Sequence, residues 1–383
     1  IKVLEIGGLK IELHSAPGET HDTLFVWIPE DKTLIAADDY YWAFPNLYTI
    51  RGTSPRPTDE WIKSIDQMRR LQPEHLVPSS TNPLHGKEKI AQILTNYRDA
   101  IQYVRDEVVR RANRGENIDT ISESIKLPPQ LARLPYLWEG YGQVDWSARA
   151  IYTNNLGWFD GRADKLYPLN HVEAAKREIK LMGGAQEILD HAKNALKEGD
   201  PRWAVHLLAK LKDSGLATGD QSIKVNDMLA QGYRQIAADT SNTNGRAYLL
   251  ESALELTQGP PKLIISTLPI ETVGSMPIDF IFANMAPRLD PEKAKGAYES
   301  LRFVFPDVSK QFTITVRNGI AEVIDGEPLP GTPDPVAIVT TDSMTYKMMA
   351  LKMITAMSVF TQGKMKVDGS FPAFLVFMGR FQT

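Results

Sequence analysis

The hydrophobic period of this chain changes along its length, and each change limits what the neighbouring stretch can become. Up to about residue 85 the apolar runs are short and separated by turn signals. Ile1–Ile6 and Leu9–His14 flank Gly7-Gly8, a hairpin signal, and Leu24–Ile28 and Thr33–Ala37 flank the turn Glu30-Asp31-Lys32. Such runs predict short buried strands of a sandwich or mixed sheet. Thr58 is placed to cap a helix with Trp61, Ile62, Ile65, Met68 and Leu71 on one face. Leu76-Val77 is a further strand candidate. Gly86 precedes a long helix whose stripe is Ile90, Ile93, Leu94, Tyr97, Ile101, Val104 and Val108.

Residues 128–170 are rich in Pro, Trp, Tyr and Gly and show no clean period. From His171 the period is helical. Ile188, Leu189, Ala192, Ala195 and Leu196 form one stripe, and Trp203, Ala204, Leu207, Leu208 and Leu211 the next, divided by Gly199-Asp200-Pro201 with Pro at a helix start. Paired helices of this kind resemble tetratricopeptide repeats. Gly259-Pro260-Pro261 marks a boundary. Beyond it Phe312–Val316 and Ile320–Ile324 flank Arg317-Asn318-Gly319, a strong hairpin signal. Val336–Thr340 is a third strand, Ser343–Phe360 a Met-rich helix, and Met365–Val367 a last strand before a closing apolar helix. The expected organisation is α/β over 1–115, all-α over 116–260 and α+β over 261–383.

Composition excludes several functions. With 43% hydrophobic and 23% charged residues in 383, the chain is globular and long enough for two or three cores. Its net charge of -4 gives no electrostatic reason to expect nucleic acid. No apolar run approaches the roughly 20 residues of a transmembrane helix. Cysteine is absent, so any metal must be held by His, Asp or Glu. Ile1 opens inside a strand pattern without initiator Met or leader, so the sequence is expected to be part of a longer or processed protein.

Three segments carry residues suited to chemistry. Glu19 lies in a loop between strands, and Asp38-Asp39 closes the run Leu34–Ala37. Acids at the ends of buried strands are costly unless paired, hydrogen-bonded or metal-bound, although an Asp capping a turn leaves the same pattern. Arg51 follows a short apolar segment and could hold an anion through its fork, or form a surface ion pair. Val77–Gly86 ends a strand in small polar residues. Ser80 has no general base nearby in sequence, and His75 and His85 are either metal ligands or solvated.

These segments also carry a resemblance. Pro17-Gly18-Glu19-Thr20, Ala37-Asp38-Asp39, Asn46–Gly52 and Leu76–Ser79 resemble the second half of the catalytic domain of alkyl sulfatases, of the type that hydrolyses dodecyl sulfate, in the metallo-β-lactamase superfamily. Tyr141-Gly142, Leu156–Gly161, Met182–Ala185 and Arg246–Leu249 resemble that family's helical dimerisation domain. Thr313–Gly319 and Gly363–Gly369 resemble its sterol-carrier-like C-terminal domain. The resemblance implies the second half of an αββα sandwich, then a tetratricopeptide-like dimerisation domain, then a sterol-carrier-like domain. It implies zinc-dependent hydrolysis of alkyl sulfate esters by a homodimer, with two zinc ions.

By that resemblance Glu19 and Asp38 are metal ligands, Arg51 grips the sulfate, and Tyr152 lies in a region that supplies another sulfate contact. The family's H-x-H-x-D-H motif does not occur in this sequence and is expected before Ile1. Its late His falls at or near Ser80, so either His85 substitutes, one metal is weakened, or the chain is silent there. The Met-rich helix, with Met344, Met348, Met349, Met353 and Met357, could shelter an alkyl tail or simply pack a core. A superfamily member acting on another ester, or a non-catalytic lipid-binding and dimerising protein, remains the alternative. A periplasmic or secreted location is favoured by the resemblance, and a cytoplasmic one is left open.

Overall fold

The computed structural model describes residues 1–261 and 269–381. The chain divides into two units, Ile1–Pro261 and Lys262–Thr383.

In the first unit, six strands form one sheet in sequence order: β1 (Lys2–Ile6), β2 (Leu9–Ser15), β3 (Leu24–Ile28), β4 (Thr33–Ala37), β5 (His75–Pro78) and β6 (Leu84–His85). Neighbours are antiparallel except β4 and β5, which run parallel. A parallel step needs a crossover, and α1 (Thr58–Arg70) supplies it. Alternation along the strands decides which side is buried. Phe25, Trp27, Leu34, Ala36 and Leu76 join one core with Trp61, Ile65 and Met68 of α1 and Ile90, Leu94, Tyr97 and Ile101 of α2 (Lys87–Ala112). The opposite side carries Ile11, Leu13, Val26, Ile28, Ile35 and Val77, aliphatic yet only half-buried. Thr58 begins α1 and does not cap it: Pro57 precedes it and no side chain caps the first turn. Asp59 and Glu60 complement the helix dipole there instead.

Past residue 115 come α3 (Ile118–Ser124), α4 (Pro129–Ala132) and α5 (Val144–Leu156). Residues 128–170 show no clean period because α4 is a single turn and α5 buries small residues, Ser147, Ala148 and Ala150. The core is continuous across 115/116: Ile121, Leu127, Leu131, Leu137, Val144 and Ile151 belong to the same cluster as the sheet and α2. A separate core, including Ile179, Ile188, Leu189, Leu207, Leu208, Leu211 and Leu229, is built within α6 (His171–Leu181), α7 (Ala185–Glu198), α8 (Pro201–Ser214) and α9 (Asp220–Ala238). Asp200 caps α8 by accepting from the Trp203 N–H at 3.1 Å, with Pro201 in the first turn as its ring favours.

The last helix of this unit, α10 (Thr243–Gln258), is tied to the loop before α5. The buried Asn242 amide nitrogen donates to the carbonyls of Glu139, Tyr141 and Gly142 at 3.3, 3.1 and 3.2 Å, while its oxygen caps Gly245 at 3.0 Å. The same loop is tied back to residues 44–45. The Gly142 N–H donates to the Phe44 carbonyl at 3.1 Å, and a Cβ on Gly142 would lie 2.1 Å from the Pro45 oxygen.

Among its described residues the second unit begins with α11 (Ile270–Ser275) and α12 (Ile278–Ala283). Its sheet has β7 (Tyr298–Phe305) at the centre, with β8 (Lys310–Arg317), β9 (Ile320–Asp325), β10 (Pro335–Thr341) and β11 (Met365–Gly369), in the order β11-β10-β7-β8-β9. The hairpin at Asn318-Gly319 forms as expected. The sequence hid β7, because Glu299 and Arg302 interrupt its apolar pattern; Glu299 is paired with Arg380. The expected single helix over Ser343–Phe360 is two: α13 (Ser343–Ala350) ends before Lys352, at φ 58°, and α14 (Ala356–Thr361) starts anew with Thr355 accepting from the Ser358 N–H. The closing helix α15 (Phe371–Met378) packs Phe374 and Phe377 into a core with Phe282, Phe303, Phe305 and Phe312.

The Gly142 contact generates a test. Gly142→Ala forces the 139–142 loop away from Pro45, and the expected cost is about 1–3 kcal/mol, as for other overpacked sites, read as a lower urea midpoint at unchanged slope.

Candidate active site

β4 and β5 end side by side, and the loops that leave them frame a cavity of about 390 Å³ lined by Glu19, Asp38, Tyr41, Trp42, Ala43, Ser80, Thr81 and Tyr141. Asp38 follows the last residue of β4, and Ala37 reaches it through a left-handed φ of 49°. Ser80 follows β5 and donates its hydroxyl to Asp38 Oδ1 at 2.7 Å. The two acids singled out in the sequence therefore line one cavity, with Ser80 beside them.

Glu19 is held there by its neighbour's neighbour. The Glu19 N–H donates to Asp39 Oδ1 at 3.0 Å, and Asp39 is fully buried. Gly18 permits this approach, since a Cβ on it would sit 2.1 Å from that oxygen. The Trp61 indole N–H donates to the Asp39 carbonyl at 3.1 Å, so α1 fixes the same turn. Glu19's own carboxylate accepts from Arg56 Nη2 at 3.1 Å and from the Tyr41 hydroxyl at 3.3 Å. Burial outweighs these partners and pushes the Glu19 carboxyl up to about 7. Asp39 is likewise pushed up to about 7 by burial, and its Oδ2 has no hydrogen-bond partner among the described residues.

Arg51 is exposed and stands behind Tyr141. Its Nη2 donates to the Tyr141 hydroxyl at 3.3 Å, its Nη1 to the Asn244 side-chain oxygen at 3.2 Å, and its guanidinium lies 6.0 Å from the Tyr141 ring centroid. It is near enough to Glu19 to lower that acid's pKa in opposition to burial. Tyr152 is elsewhere: it is a 6% exposed member of the α5 core and does not line the cavity. Nor does His85, which pairs with His75 across β5 and β6 and lines a different depression. Tyr41, Arg56 and Asn244 carried no signal in the sequence, because each reaches the site only through the fold. Tyr141 did carry one, in the Tyr141-Gly142 pair.

Among the described residues, the metal-ligating side chains that line this cavity, Glu19 and Asp38, offer only oxygen. Among the described residues no group of three or more His, Cys, Asp or Glu side chains is arranged to hold a metal ion. A catalytic zinc ion takes three protein ligands, usually with His among them. Glu19, Asp38 and Ser80 by themselves therefore do not fit such an ion. In the second unit a mostly apolar cavity of about 280 Å³ is lined by Ile281, Met285, Tyr346, Met349, Phe374 and Met378, among others, and by Arg288 and Lys352. Of the Met-rich stretch, Met349 alone lines it.

Comparison with known proteins identifies the family. Residues 117–259 match the family model described as alkyl sulfatase dimerisation, and residues 266–383 the one described as alkyl sulfatase C-terminal. Those matches place the chain with the alkyl sulfatases, over their dimerisation and C-terminal parts. A linear primary-alkylsulfatase from a Pseudomonas species is 33% identical over 391 aligned positions, covering 98% of this chain and 72% of that protein. An alkyl/aryl-sulfatase of Saccharomyces cerevisiae is 26% identical, covering 95% of this chain and 56% of its own length. The solved structure of a stereoselective inverting sec-alkylsulfatase from a Pseudomonas species superposes with a TM-score of 0.89 at 27% identity, covering 100% of this chain and 60% of that one. The chain belongs to the alkylsulfatase family, and it spans between 54% and 72% of the length of the curated relatives it matches.

The buried acid beside Glu19 sets a pH dependence. Asp39 binds its proton more tightly folded, at about 7, than at the ordinary value of 3.8 expected unfolded. Between those values the folded chain keeps a proton that the unfolded chain has lost. Stability therefore falls as pH rises through that window, by at most about 1.4 kcal/mol per pH unit for one group. In chelator-treated protein, Asp39→Asn is expected to reduce the fall between pH 5 and pH 7, measured by urea unfolding, leaving the part that Glu19, also raised to about 7, contributes. An unchanged slope would mean that Asp39 is ionised in the fold.

Proposed function

We propose that this chain is part of a zinc-dependent alkyl sulfatase that cleaves sulfate esters of alkyl alcohols to alcohol and sulfate. The observation that supports it most directly is the cavity in which Glu19 and Asp38 converge beside Tyr141, with Arg51 held behind it. In this proposal the two carboxylates contribute to a two-zinc centre related to that of metallo-β-lactamases. Its nitrogen donors are supplied by protein outside these residues. Zinc bound there would supply an activated water.

The chain's own residues do the rest of the positioning. Arg51 and the Tyr141 hydroxyl offer donors to a sulfate group, and the guanidinium balances its charge. Arg56 and Tyr41 hold the Glu19 carboxylate toward the cavity. Asn244 brings the start of α10 onto Arg51, so the helical segment helps to place the anion site. The exposed aromatic rings Trp158 and Tyr167, 72% and 95% accessible, suit burial between two copies of a homodimer. The apolar cavity of the second unit favours the additional reading that the protein holds a lipid-like tail.

Sulfate release from dodecyl sulfate by the full-length, zinc-loaded protein tests the whole proposal, and absence of hydrolysis would sink it. Arg51→Ala is expected to lower kcat/KM on the order of a hundredfold, as for loss of one oxyanion donor. Arg51→Lys should recover only part, because it cannot reproduce the planar fork.

The mouth of the cavity adds a second expectation. Trp42 is 39% exposed there, packs edge-on to Tyr136 at 5.5 Å, and its carbonyl accepts the Trp138 indole N–H at 2.8 Å. An apolar ring so placed suits the organic part of the ester. Trp42→Ala should raise KM for a twelve-carbon ester more than for a short one, and equal changes for both would exclude that contact.

A further inference from the structure

We propose that His75 and His85 form a two-imidazole site for a divalent transition-metal ion of the Cu2+ or Ni2+ class, separate from the cavity at Glu19 and Asp38. The two histidines are direct partners in the antiparallel pairing of β5 with β6, at the edge of the six-stranded sheet. Directly opposed residues on neighbouring strands project to the same side of a sheet, so the pairing itself brings the two rings together. Their Nδ1 atoms are 2.8 Å apart and the ring planes are inclined at 71°.

That spacing selects a coordination geometry. With metal–nitrogen bonds of roughly 2.0–2.1 Å, two ligands at a right angle lie about 2.9 Å apart, and two at a tetrahedral angle about 3.3 Å. The observed spacing matches the right angle, which square-planar or tetragonal Cu2+ and Ni2+ prefer. Among first-row divalent ions imidazole binds Cu2+ most strongly. His85 is exposed and His75 half-buried, and both open onto a depression also lined by Glu30, Asp31, Glu74 and Lys32. Three acids against one amine there leave a field that accepts a cation, even with Glu74 engaged by Lys32 at 2.6 Å. Water completes the remaining positions from the solvent side.

A hydrogen bond between one ring's N–H and the other's lone pair gives the same separation with no metal, so the experiment must separate the two. The full-length protein is titrated calorimetrically with Cu2+ and with Ni2+ alone, and the Cu2+ adduct is examined by electron paramagnetic resonance. The wild type should take up one equivalent more than His75→Ala/His85→Ala, with the nitrogen hyperfine pattern of two imidazoles. Either single variant should bind that equivalent at least about tenfold more weakly. His75→Gln/His85→Gln, which keeps a polar side chain on each strand, guards against loss through misfolding and should match the double alanine variant. Equal uptake by wild type and double variants would overturn the site. So would an extra equivalent that disappears only when Glu19 and Asp38 are changed to Gln and Asn.

Discussion

A single hydrogen bond to a buried carboxylate organises the functional end of the first unit. Asp39 sits at zero exposure and accepts the Glu19 N–H, so the β2–β3 loop can lie only where the turn after β4 lets it. Burying an acid in this way is unfavourable by itself. Burial pushes its pKa up to about 7, so below neutrality a proton spares the interior a bare charge while Oδ1 still accepts. Gly18 is required because the approach leaves no room for a side chain. The indole of Trp61 then ties the same turn to α1, the crossover helix that makes the parallel step possible. Backbone topology and the placing of the acids are one structural problem with one solution.

The local grammar of the chain was readable wherever a side-chain period or a turn signal was complete. The hairpins at Gly7-Gly8 and Asn318-Gly319, the strand after Lys32, and the helices after Gly86 and Pro201 follow directly from such patterns. The failures share a physical cause. Strand β7 carries Glu299 and Arg302 in a central position, and charges at a sheet centre are hidden from a period count although Arg380 pairs with Glu299 in the fold. The break between α13 and α14 turns on a left-handed Lys352, which no composition rule marks. Both are cases of tertiary context overriding a local preference.

The site was legible in halves. Glu19 and Asp38 stood out because acids at strand ends demand a reason, and the cavity brings them together. The groups that orient them did not stand out, since Arg56 and Tyr41 lie 37 and 22 residues from Glu19, and Asn244 lies 193 from Arg51. Contacts of that separation are set by packing and leave no periodic trace. Tyr152, an aromatic residue in the same stretch of sequence, belongs to a helix core, while Tyr141, eleven positions earlier on an irregular loop, faces the cavity.

The aliphatic side of the six-stranded sheet bears on how this polypeptide behaves in a test tube. Ile11, Leu13, Val26, Ile28, Ile35 and Val77 share that side and are only half-covered, and burying such surface is favourable by roughly 25 cal/mol for each Å². Lys2 and Glu5 on the outermost strand discourage another strand from adding at the rim, but charges at a rim do little for a greasy plane. Preparations of these residues alone should therefore cling to one another, or to detergent, through the flat of the sheet.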